Sequence, residues 1–211
     1  MRPASQRAVI VAILIAGAVV YVLASMQSRP AAVEAGFWFD DVTFDSARLG
    51  GPLTQDEVAT IESVARGELR EAFRGLPIVF SERHDARYTI RVVQDVRDLR
   101  FKRSVGVAGQ SRGIQGFGGS GAVSFDFLAN GAMSYAPGDA DRAALVAAIG
   151  RGVGRTAVHE FTHQLLPTAP IHDSRDEQSY EFRSAARPAQ YFGPMRWDLA
   201  RPLLRQEMTR R

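Results

Sequence analysis

Residues 142–166 read RAALVAAIGRGVGRTAVHEFTHQLL, and the reading of this stretch decides the fold. Asp139 or Asp141 can cap a long helix that starts at Arg142 and runs to about Leu166, where Pro167 ends it. Gly150, Gly152 and Gly154 each weaken such a helix by roughly 1 kcal/mol relative to Ala, which predicts a weak point or a break there. Near the C-terminal end stand His159-Glu160-Phe161-Thr162-His163, the pattern HExxH. Residues four apart share one helical face, so both imidazoles can grip one metal ion while Glu160 projects beside them. Ala157, Val158, Phe161, Leu165 and Leu166 make the surroundings apolar, as expected of a helix buried behind a metal site.

Zn²⁺ suits neutral imidazole nitrogens, and a catalytic site keeps a fourth position for a water whose pKa falls from 15.7 to about 7. Glu160 is then the candidate base for that water as it attacks a carbonyl. A third protein ligand is needed, and the following residues 167–182, PTAPIHDSRDEQSYEF, offer His172, Asp173, Asp176, Glu177 and Glu181. Two zincin patterns bear on the choice. In gluzincins the third ligand is a Glu on a later helix, and Glu181 follows the motif, although Pro167 and Pro170 make the intervening chain a loop. The metzincins resemble the chain better. Their pattern is HExxHxxGxxH followed by a turn bearing Met; here Leu166 stands in the Gly position and Ala169 in that of the third His. Three extra residues around Pro167–Pro170 bring His172 onto the third-ligand position, and Tyr180 falls where the Met is expected, unless Met195 serves. The resemblance implies metal ligands His159, His163 and His172, catalytic Glu160, and a Tyr that steadies the oxyanion, either Tyr180 or Tyr191. It also implies peptide binding along an antiparallel edge strand, a role falling on Val105–Ala108 or the Gly-rich stretch after it.

Working outward, Phe37–Phe44 (FWFDDVTF) reads as a strand. Thr54 with Glu57 is a capping-box signature that opens a helix bearing Val58, Ile61, Ala65, Leu69, Ala72, Phe73 and Leu76 at helical spacing, which Pro77 ends. Ile78–Phe80 and Tyr88–Val93 read as strands joined by the polar turn SERHDAR, in which His84 is a solvated residue. Ala122–Leu128 reads as a further strand followed by an Asn130-Gly131 turn. Residues Trp197, Leu199, Leu203 and Leu204 suggest a short amphipathic helix docked on the domain. The order of elements makes the fold class α+β, and the resemblance implies a zincin-like form of it: a mixed twisted sheet with a backing helix and an HExxH helix.

The N-terminus has a different character. Residues 8–25, AVIVAILIAGAVVYVLAS, carry no charge, and as a helix would cover roughly 27 Å, near the thickness of a bilayer core. Arg2 and Arg7 before it favour a cytoplasmic residue 1–7 segment. The expected organisation is a transmembrane signal-anchor at 8–25, a linker at 26–36 and a zincin-like domain at 37–211, held at a bacterial inner membrane and facing the periplasm or exterior. Cleavage after Val22-Leu23-Ala24 would instead release a secreted protein. Across the 211 residues, 26 basic side chains against 23 acidic ones leave a net charge of only +3, with the two signs interleaved, so no nucleic-acid partner is expected. No Cys is present, which excludes Cys-ligated zinc, iron–sulfur clusters and cysteine nucleophiles. No GxSxG occurs, so a serine hydrolase is unsupported. The sequence thus predicts a membrane-anchored zinc metallopeptidase acting on a peptide or protein substrate. A non-catalytic binding or assembly module with a structural zinc site is the competing expectation, motivated by the missing Gly and Met.

Overall fold

In a computed structural model, residues 32–96, 108–114, 117–166 and 171–209 are described. The expected membrane segment 8–25, linker residues 26–31, strand residues 105–107 and the helix-stopping Pro167 lie outside them. Among the described residues no helix is long and apolar enough to cross a membrane.

The chain builds a five-stranded sheet from β1 (Val33–Phe39), β4 (Ile78–Ser81), β5 (Tyr88–Val93), β6 (Gly109–Ile114) and β7 (Gly118–Ser124), while β2 (Asp45–Ser46) and β3 (Gly51–Pro52) pair separately. The order is β4-β1-β5-β7-β6; four strands are parallel and β6 alone runs antiparallel, at the edge beside β7. Four α-helices accompany it among the described residues: α1 (Gln55–Ala72), α2 (Phe125–Tyr135), α3 (Arg142–Leu165) and α4 (Ala200–Thr209). This is a mixed α/β fold.

Thr54 caps α1 with its side chain and Glu57 returns the bond, so the expected capping box is formed. Ile61, Ala65 and Leu69 of α1 are fully buried, as are Val153, Ala157, Val158 and Phe161 of α3 and Phe37, Ile90 and Val123 of the sheet. Asp141 caps α3 by accepting from the Ala144 N–H at 2.7 Å.

The helix does not break at its glycines. A Cβ on Gly150 would lie 2.7 Å from Val64 Cβ, and one on Gly154 would lie 2.7 Å from the Ala65 carbonyl oxygen. Removing side chains on that face lets α3 lie directly on the α1 backbone, and this tertiary contact outweighs the propensity cost.

Several expected boundaries shift. The first strand begins at Val33 rather than Phe37, because Val33–Gly36 pair with β4; a Cβ on Gly36 would strike the Arg83 carbonyl at 2.0 Å. The predicted strand Ala122–Leu128 is β7 only as far as Ser124, whose hydroxyl then accepts from the Phe127 N–H and starts α2. Asn130-Gly131 is not a turn but lies inside α2. The C-terminal helix forms and buries Leu204 and Met208, leaving Leu199 and Leu203 part-exposed.

Candidate metal centre

Helix α3 carries His159 and His163 on one face, and Gln164 ties the end of that helix to the sheet by donating from Nε2 to the Thr89 carbonyl at 3.0 Å. His172, from the chain beyond α3, joins them. The three Nε2 atoms form a near-equilateral triangle with edges of 3.0, 3.1 and 3.1 Å. Tetrahedral ligands about 2.0–2.1 Å from a zinc ion stand roughly 3.3 Å apart, so the triangle needs to open only by a few tenths of an ångström. The three residues form a cluster that could hold a metal ion, the only such group among the described residues.

His159 Nδ1 lies 2.7 Å from the Tyr180 carbonyl oxygen. A carbonyl can only accept, so Nδ1 carries the proton and Nε2 presents its lone pair to the centre of the triangle. Burial, aided by the neighbouring His163, pushes His159 down to about 3. Burial, aided by His172, pushes His163 down to about 4. Burial lowers His172 too, with Asp173 opposing. All three imidazoles are thus neutral near pH 7, the form in which they ligate.

Glu160 projects from the same helical turn and is 6% exposed. Burial raises its carboxyl to about 7, with the Ser111 hydroxyl acting the other way. That hydroxyl also donates to the Glu160 main-chain carbonyl at 3.1 Å, holding β6 against α3. The approach depends on missing side chains: a Cβ on Gly109 would lie 2.8 Å from Glu160 Oε1, and one on Gly113 would lie 2.6 Å from Gln164 Cα. Strand β6, in the Gly-rich stretch, is the antiparallel edge strand and borders the site.

The remaining ligand candidates go elsewhere. Glu181 is fully buried, but its carboxylate accepts from the N–H groups of Asp198, Leu199 and Ala200 at the start of α4 and from the Ser179 hydroxyl. Asp176 accepts from the Gln178 N–H at 3.0 Å and from Arg196 at 2.7 Å. Asp173 and Glu177 are exposed and outside the cluster. Met195 is half-buried against the core.

Tyr180 meets His159 through its carbonyl and also lines the cleft. Its ring is 6% exposed and packs on Trp197 at 5.0 Å between centroids, and burial pushes the hydroxyl up to about 12. Tyr191 is fully buried, stacks on Tyr135 at 5.8 Å and fills the space left by Gly131 and Gly152, so it too is a packing residue. His84 is exposed, stacks on Trp38 at 4.2 Å and is not in the cluster.

The histidines and Glu160 open onto a cleft of about 1060 Å³. Its walls are β6 on one side and residues 180–190 on the other, with Arg155 and Thr156 of α3 between. Arg155 fixes the second wall: it pairs with Glu68 at 3.1 Å and donates to the carbonyls of Ala189 at 2.8 Å and Gly193 at 2.9 Å. The Tyr180 carbonyl, Ser111 and Arg155 carry no signal in the sequence that points to the site. A main-chain acceptor has no residue signature, and only the glycines of β6 hint at a close approach. Compared with protein-family models, curated proteins and solved structures, the chain has no significant match.

Proposed function

We propose that the protein is a zinc-dependent metallopeptidase of metzincin-like design, anchored by residues 8–25 with its catalytic domain outside the cytoplasm. The observation that carries this reading is the convergence of three imidazole Nε2 atoms, 3.0–3.1 Å apart, beside a buried carboxyl at an open cleft. Neutral imidazoles in tetrahedral spacing favour zinc. Held by His159, His163 and His172, zinc would supply a water acidic enough to lose a proton near neutral pH and a Lewis acid for a carbonyl oxygen.

The chain's own residues do the rest. Glu160, with its carboxyl raised to about 7, can accept a proton from water and pass it to a departing amine. Gly109 leaves room for that carboxyl, and Ser111 holds the Glu160 main chain against β6. The edge of β6, which pairs with no further strand among the described residues, can pair with an extended peptide through main-chain hydrogen bonds, antiparallel strand addition being the mode that the resemblance implies. Tyr180 is assigned a positioning role through its carbonyl, in place of the oxyanion role expected from the sequence.

The test compares purified wild type with Glu160→Ala for bound zinc and for hydrolysis of an unstructured protein. About one zinc per chain in both, with hydrolysis lowered at least about a hundredfold in the variant, is expected. Absence of metal, or equal hydrolysis, overturns the reading. Equal function in the cell for Glu160→Ala, with unfolding of His163→Ala, would favour the non-catalytic module.

A further inference from the structure

The cleft that houses the histidines is charged unevenly. Among its described lining residues the only carboxylate is Glu160, whereas four arginines line it: Arg112, Arg155, Arg183 and Arg187. Arg155 is neutralised by Glu68. The other three have no carboxylate within ion-pair distance among the described residues, although six other arginines outside the cleft do.

Arg187 is the most telling of the three. It is 4% exposed, on the wall that faces β6. Its terminal nitrogens donate to the main-chain carbonyls of Ser179 (2.9 Å) and Ser184, its guanidinium lies 4.8 Å from the Phe182 ring, and its Nε has no partner. Carbonyls and a ring orient a cation but leave its charge unbalanced; Glu177 and Asp176 act on it only through space. Buried positive charge in a low-dielectric wall projects its field into the adjoining cleft.

Arg183 extends that field along its own wall, while Arg112 adds positive charge on β6 itself, and both are exposed. In β6, Gly109, Ser111 and Gly113 face α3, so Gln110, Arg112 and Ile114 face the other side of the sheet. A peptide strand added along β6 would therefore set alternate side chains beside Arg112, and the intervening ones towards Arg183 and Arg187.

We propose that this cleft selects extended peptide segments rich in Asp and Glu. The inference rests on the peptidase reading and names the substrate class for the same site.

The test uses full-length, zinc-loaded Glu160→Ala protein in neutral detergent, so that peptides bind without turnover. Fluorescent peptides of equal length carry Asp/Glu, Ser/Gln or Lys/Arg at alternate positions, and binding is read by anisotropy. At about 50 mM salt the acidic peptide should bind at least about tenfold more tightly than the neutral one, and the margin should shrink at about 300 mM. With Arg112→Glu and Arg183→Glu combined, both at exposed positions, the order should reverse in favour of the basic peptide. Equal or weaker binding of the acidic peptide, no binding of any peptide, or a preference that survives the double substitution overturns the proposal. Displacement of the acidic peptide by a lower concentration of single-stranded oligonucleotide overturns it as well, assigning the charge to nucleic acid. Wild-type turnover of the same peptides separates the two readings: no hydrolysis despite the expected binding order would sink the peptidase reading and leave this one standing.

Discussion

Glu160 and the histidines around it respond to pH in opposite directions, because burial disfavours the charged form of each. The carboxyl's folded pKa of about 7 lies above its ordinary 4.5. Its contribution to stability is fully present below 4.5 and is lost as pH rises through about 7, where a buried charge must form. His159 and His163 have folded values of about 3 and about 4 against an ordinary 6.5. Their contribution is fully present above 6.5 and is lost as pH falls through the folded values. Glu160→Gln removes only the first of these effects. In chelator-treated protein the variant should therefore gain on wild type between pH 4.5 and 7, by on the order of 3 kcal/mol at most. Urea unfolding at four pH values in that window would measure the gap. A gap that does not widen with pH would mean that the carboxyl is solvated in the metal-free protein.

At the scale of elements, the contact between α1 and α3 decides which glycines can be changed. Gly67 of α1 has open space where a Cβ would go, so Gly67→Ala should stabilise by roughly 0.5–1 kcal/mol through helix propensity alone. Gly154→Ala gains the same propensity but drives a methyl to 2.7 Å from the Ala65 carbonyl, a backbone atom that cannot swing aside. It should destabilise by about 1–3 kcal/mol. Thermal melts of the two variants should move in opposite directions; a rise for Gly154→Ala would show that the helices can separate at little cost. The same contact explains why α3 is legible as a helix while its glycines read as weakness: propensity is local, and the partner that rewards a bare helix face is distant in sequence. The Thr54–Glu57 box and the cap at Asp141 are legible because their partners lie three residues away. The change from β7 to α2 at Ser124 is not, since Val123, Phe125 and Phe127 suit a strand equally well and Gly131 is chosen by Tyr191, sixty residues on.

On the scale of the whole domain, the C-terminal segment joins the histidine cluster to the far end of α1. His172 and the Tyr180 carbonyl meet α3. Glu181 holds the start of α4, while Trp197 and Arg201 both donate to the Ala72 carbonyl at 2.8 Å. Of the three candidate ligands only His172 lies outside α3, so metal binding should tie residues 171–187 to the domain as well as fill a site. A ligand at a hundred times its dissociation constant stabilises by about 2.7 kcal/mol. Zinc should accordingly raise the unfolding midpoint and slow tryptic cleavage after the exposed Arg175 and Arg183 severalfold. His172→Ala should lose most of the protection at both bonds, even at zinc concentrations that still load His159 and His163, because His163 tethers nothing beyond its own helix and the bond from His159 to the Tyr180 carbonyl forms without the metal. Cleavage in the variant slowed by zinc as much as in wild type would show that the loop is held by the Glu181 and Arg187 contacts alone, with His172 only adjacent to the metal.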